Sequence, residues 1–378
     1  MNQEKKINIG MSNRTFLASY NNGRPDGIST YTKNLSKNLA NMGQKLSFTS
    51  FADDGGVSKE APISFNYEKS FKIYAAASLV FPRKYFPTPP VDIFHFTDYR
   101  SIPMSCPSVT TIYDAIPLIH PKLSNPKYRG IKNKLLKKFA NNCNHVIAIS
   151  KFSVDEIVKY YGIEESKISV VPLGVDSRWL DPVNEDNWMK TLQDRKLRPG
   201  YFLFVGLIQP RKNLSRVILA HDMLTENERK QYPLVVIGRV GWNSEDVIKE
   251  LLKKCLKGEA YWFSDVYDED ELKHLYLGAS VFIFPSLYEG FGLPVLEAFS
   301  CGIPVLTSNS TSLPEVSGGV ALEVDPLDVD QIIYGMRRLL ESSERVRRIE
   351  LGKKRAANMS WSHCARNTIE VYKKILNM

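Results

Sequence analysis

Short apolar runs alternate with longer segments of helical spacing along most of the chain. A short apolar run between glycine, proline or polar clusters fits a strand buried on both faces, and recurrence at i, i+3, i+4 fits a helix packed against it. Lys5, Ile7 and Ile9 alternate into Gly10 and predict a first strand. Tyr31, Leu35, Leu39 and Met42 share one helical face that ends at Gly43. Gln44–Ser50, Val91–Phe96, Val109–Tyr113, Val146–Ile149 and the stretch from Ile168 to Val171 read as further strands. Ser150 or Ser153 opens a helix after the fourth of these. Residues 53–70 are polar and give no clear element. Asp181–Gly200, polar with prolines near both ends, reads as a linker. Strands are expected again at Tyr201–Gly206, Pro233–Ile237, Ala260–Val266, Ala279–Pro285 and Pro304–Thr307, and a last helix at Ser362–Leu376.

Strands alternating with helices twice over predict an α/β chain of two Rossmann-like domains. The expected division is 1–187, 188–359 and a terminal helix at 360–378. The chain has 378 residues, enough for two cores. No run reaches the roughly 18 apolar residues of a membrane-spanning helix, and no signal-peptide core follows Met1, so a cytoplasmic protein is expected. Cys106, Cys143, Cys255, Cys301 and Cys364 are scattered and form no C-x-x-C pair, which points to reduced thiols. The net charge of +9 is uneven: residues 1–187 carry 24 Lys and Arg against 17 Asp and Glu. The excess gathers between Lys122 and Lys138, where Ile131, Leu135, Leu136 and Phe139 share a helical face and lysines cover much of the rest. That segment reads either as a core-packed helix with a solvated side or as a surface for anionic lipid. No nucleic-acid motif accompanies the charge.

The stretch from Pro285 to Ala298 carries the densest chemistry. A buried strand, the glycines Gly290 and Gly292, and a helix starting near Leu293 bring backbone N–H groups to one point, which suits an anion. The carboxylates of Glu289 and Glu297 suit hydroxyl donors. A ligand with both phosphate and hydroxyls fits the pair of features. Arg211 and Lys212, at the mouth of another strand–helix turn, suit a diphosphate. Gly27, opening a helix behind Asp26, is a weaker anion site. His95 and Asp114 end two strands and are placed to face a ligand; for His95 a packed, hydrogen-bonded role stands equally. Asp268-x-Asp270 fits a helix start better than a metal site.

Glu289 to Glu297 resembles the E-x₇-E motif of retaining glycosyltransferases of the GT-B fold, in particular glycosyltransferase family 4. PSLYEGFGLPVLEAFSCGIPVLTSN, Pro210-Arg211-Lys212-Asn213 and Thr111-Ile112-Tyr113-Asp114 are similar to that family's segments; Tyr113 replaces a usual histidine and Leu207 a usual arginine. The resemblance implies two domains facing a central cleft, with the last helix crossing back to the first. It implies transfer of mannose, glucose, galactose or rhamnose from a nucleotide sugar, such as GDP-mannose or a UDP-hexose, to a glycan or lipid-linked hydroxyl in surface polysaccharide assembly. Lys212 would stabilise the diphosphate, helped by Arg211 and the amides of Gly290, Phe291, Gly292 and Leu293. Glu289 would hold the transferred sugar, Glu297 the ribose, and Gly27 the phosphates from the first domain. Asp114 is the runner-up base, His95 and Tyr113 line the acceptor side, and Ser264–Val266 border the base. No metal or other cofactor is implied, and contact with an anionic membrane is expected to be peripheral. A sugar epimerase, a phosphorylase and a non-catalytic binding partner remain as alternatives.

Overall fold

The computed structural model describes residues 6–12, 14–16, 26–51, 63–67, 71–78, 80–98, 101–119 and 129–378. Residues 1–5, most of 53–70 and the basic residues 121–128 lie outside them, as do the side chains of Ile131 and Leu135. The chain forms two compact units, one of Met1–Leu173 with Trp361–Met378 and one of Gly174–Ser360.

The first unit is built on parallel strands β1 (Asn8–Ser12), β2 (Lys45–Phe51), β3 (Ile63–Tyr67), β4 (Ile93–Phe96), β5 (Ser108–Ile112), β6 (His145–Ala148) and β7 (Ile168–Val170). Their order across the sheet is β3-β2-β1-β4-β5-β6-β7. Strand β3 falls in the polar stretch that gave no clear element. The central strands β4, β5 and β6 are buried at every position, as expected where helices cover both faces.

The last helix, Trp361–Leu376, belongs to this unit. It packs on the helix Gly27–Asn41, with the Trp361 ring 6.0 Å from that of Tyr31. Beneath them lies a closed polar chain. Tyr372 Oη is 2.6 Å from His95 Nδ1, His95 Nε2 is 2.8 Å from Thr111 Oγ1, and Thr111 Oγ1 is 3.0 Å from Tyr31 Oη. All four groups are buried, so each hydrogen bond offsets a desolvation cost that would otherwise stand.

The second unit has parallel strands β8 (Tyr201–Val205), β9 (Leu234–Ile237), β10 (Ala260–Phe263), β11 (Ala279–Phe284), β12 (Val305–Ser308) and β13 (Leu322–Val324), in the order β10-β9-β8-β11-β12-β13. Phe202, Phe204, Val236, Val281, Ile283 and Leu306 carry its core on one face. The chain runs outward from β8 through β9 to β10, then returns to β11 on the other side of β8. Strand order therefore reverses between β8 and β11, and loops leaving their C-terminal ends part there.

Two readings of the sequence are corrected here. Asp181–Gly200 is not a bare linker, because Glu185–Asp194 is a helix capped by Asn184. The units also divide at Leu173 and Gly174 rather than at 187. The intervening segment is tied to the second unit: the Arg178 guanidinium pairs with Glu269, the Trp179 ring packs edge-on to Tyr276, and the buried Lys273 ammonium donates to the carbonyls of Arg178 and Asp181. Val175 N donates to Met359 O (2.8 Å), so the two stretches entering and leaving the second unit run side by side.

Candidate active site

The reversal between β8 and β11 holds Arg211, Lys212, Glu289 and Glu297 of the side chains that the sequence singled out. After β8 the chain turns at Gly206, runs through a short 3-10 turn at Pro210–Lys212, and enters the helix Leu214–Asp222. After β11 it passes Glu289 and Gly292 into the helix Leu293–Ser300. Lys212 Nζ donates to Glu289 Oε1 at 2.6 Å, and Arg211 Nη1 donates to Glu289 Oε2 at 2.9 Å. One carboxylate thus holds a cation on each oxygen. Lys212 and Glu289 are both buried, and the Lys212 ammonium also lies 4.6 Å above the Phe284 ring centre.

Burial alone would push the Glu289 carboxyl up, but Arg211 and then Lys212 overcome it and hold the group down at about 2. Burial pulls Lys212 down to about 8 against the attraction of Glu289. At neutral pH both groups are charged. Glu297, one helical turn into the helix Leu293–Ser300, sits differently: burial raises it to about 7, opposed by a hydrogen bond from the Tyr276 phenol (3.2 Å) and by the charge of Lys212.

The backbone supports the side chains. Gly292 adopts φ +114 at the head of the helix, and a Cβ there would meet Leu313 Cδ2 at 2.7 Å. No side chain caps this helix; Pro294 has no N–H and Val295 N donates to Gly292 O (3.0 Å), so the Leu293 amide at its head is the one suited to an anion. Gly238, after β9, lies against the loop after β8; a Cβ on it would come 1.9 Å from Gly206 O.

Asn213 is the residue that sequence reasoning did not single out. It adopts φ +64, a conformation asparagine tolerates, and is almost wholly buried. Its amide donates to Pro285 O (2.9 Å) and Pro326 O (2.7 Å), fastening the loops after β8, β11 and β13 to each other. The signal was present, since asparagine is the side chain able to tolerate that turn and donate twice.

The other expected residues lie on the loop after β10 and in the first unit. Ser264 is exposed, and Asp265 pairs with Arg195 at 2.9 Å, which holds its carboxyl below the usual range. In the first unit, His95 is the packed histidine of the two alternatives. Both ring nitrogens are hydrogen-bonded inside the fold, and burial drops its pKa to about 3. Gly27 begins its helix, but the Asp26 carboxylate already accepts from Ile28 N and Ser29 N at 3.1 and 2.9 Å. Two of the amides a phosphate would use there are therefore taken, by a group of the phosphate's own charge sign. Tyr113 donates its hydroxyl to Thr97 O, and Asp114 accepts from Ile116 N (3.1 Å) just beyond β5. The sequence reading also passed over Arg14 and Asp98, ion-paired at 2.8 Å where the strand order of the first sheet reverses between β1 and β4.

Two family models match the chain, glycosyl transferases group 1 over residues 189–355 and glycosyltransferase family 4 over residues 25–179. The O-antigen chain mannosyltransferase B of Escherichia coli is 36% identical over 273 residues, which take in 70% of each chain. The chain belongs to the glycosyl transferases group 1 family. It is a glycosyltransferase. The serotype-specific mannosyltransferase WbdA of Escherichia coli is 30% identical over 274 residues, 71% of this chain but only 34% of WbdA. Among solved structures, a glycosyltransferase from Rickettsia africae matches with a TM-score of 0.71 at 18% identity, covering 98% of this chain and 99% of that one. Anabaena HepE in complex with UDP and glucose matches with 0.72 at 15% identity, covering 97% and 99%. These neighbours bear out the expected GT-B class of two parallel α/β units.

The fold of this glycosyltransferase leaves one clear dependence to check. Asn213→Asp keeps the backbone tolerance but turns a donating amide into an oxygen facing two carbonyls. The expected loss is about 3 kcal/mol, a fall in Tm of roughly 6–12 °C for a unit of this size. Differential scanning calorimetry reads it, and a change below about one degree contradicts the fastening role.

Proposed function

We propose that the chain moves a hexosyl group, with mannose the first candidate, from a nucleotide sugar to a hydroxyl of a glycan or lipid-linked acceptor, in assembly of a surface polysaccharide of the O-antigen kind. The observation that carries this reading is the buried Lys212–Glu289–Arg211 cluster at the reversal of strand order. The Escherichia coli relatives, an O-antigen chain mannosyltransferase and a serotype-specific mannosyltransferase, support mannose and O-antigen.

The ammonium of Lys212 retains donors beyond the one given to Glu289, and a diphosphate oxygen is the ligand that such a buried cation suits. Amides at Gly290–Leu293 share that charge as the bond from the anomeric carbon to phosphate breaks. The Lys212 ammonium and these amides meet the charge that a metal ion meets in other transferases, so no metal is called for in this reading. Each oxygen of Glu289 keeps a second lone pair for a sugar hydroxyl, and Glu297 accepts from the ribose. The acceptor oxygen attacks the anomeric carbon on the face the phosphate leaves, and its proton passes to the departing phosphate, so configuration is retained. Asp114 and Tyr113 belong to the acceptor side, with Asp114 the alternative proton acceptor. Gly27, at the head of its helix in the first unit, keeps its own N–H to offer an anion.

The reading extends to where the enzyme works: in the cytoplasm, with peripheral contact to an anionic membrane. Among the described residues no helix is long and apolar enough to cross a membrane. Val80, Phe81 and Tyr85 are exposed beside the exposed Lys84, and Lys134 and Lys137 are exposed on the helix Arg129–Ala140. Apolar and cationic groups together suit a lipid head-group layer.

Two measurements test this. A panel of GDP-, UDP-, ADP- and dTDP-sugars is screened by thermal shift, with and without EDTA. One nucleotide is expected to stabilise the fold, by about 2.7 kcal/mol at a hundred times Kd, insensitively to EDTA and not in Lys212→Ala or Glu297→Ala. No shift from any donor, or equal shifts in the variants, removes the assigned roles. Co-sedimentation with vesicles is expected with anionic lipid at low salt and to weaken when Val80 and Phe81 are both changed to Ser; equal recovery with neutral vesicles contradicts the charge argument.

A further inference from the structure

Arg211 stands immediately before the lysine given to the diphosphate, and an arginine beside a phosphate site is ordinarily read as a second phosphate ligand. Its contacts point elsewhere. Its Nη1 donates both to Tyr288 O (3.1 Å) and to Glu289 Oε2 (2.9 Å), and its own carbonyl accepts from Leu287 N (2.7 Å). Main chain and side chain of Arg211 are thus fastened to three successive residues of the loop after β11. The carboxylate it meets is only 9% exposed at the side chain, whereas the Arg211 side chain is 24% exposed. Turning the guanidinium towards a phosphate would strip a buried anion of one of its two cations.

We propose that Arg211 is a positioning residue for Glu289 and not a ligand of the diphosphate, a role that rests on the glycosyl-transfer reading above. Lys212 and Arg211 bind opposite oxygens of the carboxylate and so fix its plane as well as its charge. A carboxylate set in one plane offers its remaining lone pairs to a sugar hydroxyl in one direction, and misplacement of a reacting group costs rate rather than ground-state binding. The division of labour then follows. In this division Lys212 serves both the phosphate and the sugar-binding carboxylate, while Arg211 serves the carboxylate and its loop.

The charged groups facing Glu289 among the described residues are Arg211 and Lys212, both from the turn after β8. From the loop after β12 come neutral groups: Thr311 Oγ1 accepts from Glu289 N (3.3 Å), and Ser312 Oγ donates to Glu289 O (2.8 Å). Arg211 and Lys212 both act to keep the carboxyl ionised against its burial. Removing Arg211 raises the pKa of Glu289. The part of the acidic limb of kcat that Glu289 sets, distinct from that of Glu297 near 7, is then expected to move up towards neutral pH.

The test uses the full chain and compares free nucleoside diphosphates, GDP and UDP, with the corresponding sugars as donors. In Arg211→Gln, kcat is expected to fall about tenfold or more while the Kd of the nucleoside diphosphate changes less than about twofold. Arg211→Lys, which keeps the charge, recovers part of kcat and returns the acidic limb towards its wild-type position. In a Glu289→Gln background, Arg211→Gln adds less than about twofold, because the two residues act as one unit. A loss of nucleoside diphosphate affinity in Arg211→Gln equal to that in Lys212→Ala overturns the proposal, as does a full multiplicative effect on top of Glu289→Gln. A wild-type chain that binds neither GDP nor UDP and transfers no sugar overturns the transfer reading itself, and this proposal with it.

Discussion

A single buried carboxylate between two cations holds the candidate site together. Glu289 takes Lys212 on one oxygen and Arg211 on the other, and all three come from loops at the point where the second sheet reverses its strand order. Without the anion, two positive groups would be forced together in a poorly hydrated corner. Without the cations, the carboxylate would take up a proton. The loops can meet at all because glycine stands where a side chain would block them. Gly238 lies against the carbonyl of Gly206, and Gly292 turns through a left-handed conformation next to Leu313. Asn213 then pins three loops by its amide. Cluster, glycines and asparagine form one unit, in which a change at any part reaches the carboxylate.

The first unit shows how similar chemistry can be spent on stability. His95 ends a central strand, a position that invites a catalytic reading, yet it closes a buried chain from Tyr372 through Thr111 to Tyr31. Its role is to bind the last helix to the unit. Asp26 occupies amides at the head of the helix Gly27–Asn41, so that helix is self-capped. Glu297 and Glu289 show the converse. Glu289 is buried with two cations and stays well below the ordinary range, while the partly exposed Glu297 has a phenol and no direct cation, and desolvation raises it to about 7.

Much of this was legible in the sequence because the strands are short apolar runs buried on both faces. Tyr201–Val205 and Ala279–Phe284 could be read almost to the residue. Strand β3 was not: Ile63, Phe65 and Tyr67 alternate with Ser64 and Asn66, but over only five residues within a polar stretch. The helix Glu185–Asp194 was hidden in a polar stretch because it buries little beyond Leu192. At the candidate site, Lys212, Glu289 and Glu297 were singled out by residue type and by the family resemblance. Their partners were not, because Asn213 bonds to carbonyls at Pro285 and Pro326, which no local pattern links to it. His95 remained open for the same reason: its deciding partner, Tyr372, is far away in the chain.

The central claim is that sugar leaves a nucleotide diphosphate at this carboxylate-bridged cation pair. Transfer from a labelled nucleotide sugar to a membrane-derived glycan acceptor, measured for the wild type and for Glu289→Gln, tests it most directly. The account predicts label in the acceptor with the wild type, and a rate at least about a hundredfold lower in the variant while nucleoside diphosphate still binds. Equal rates in the two proteins would contradict it.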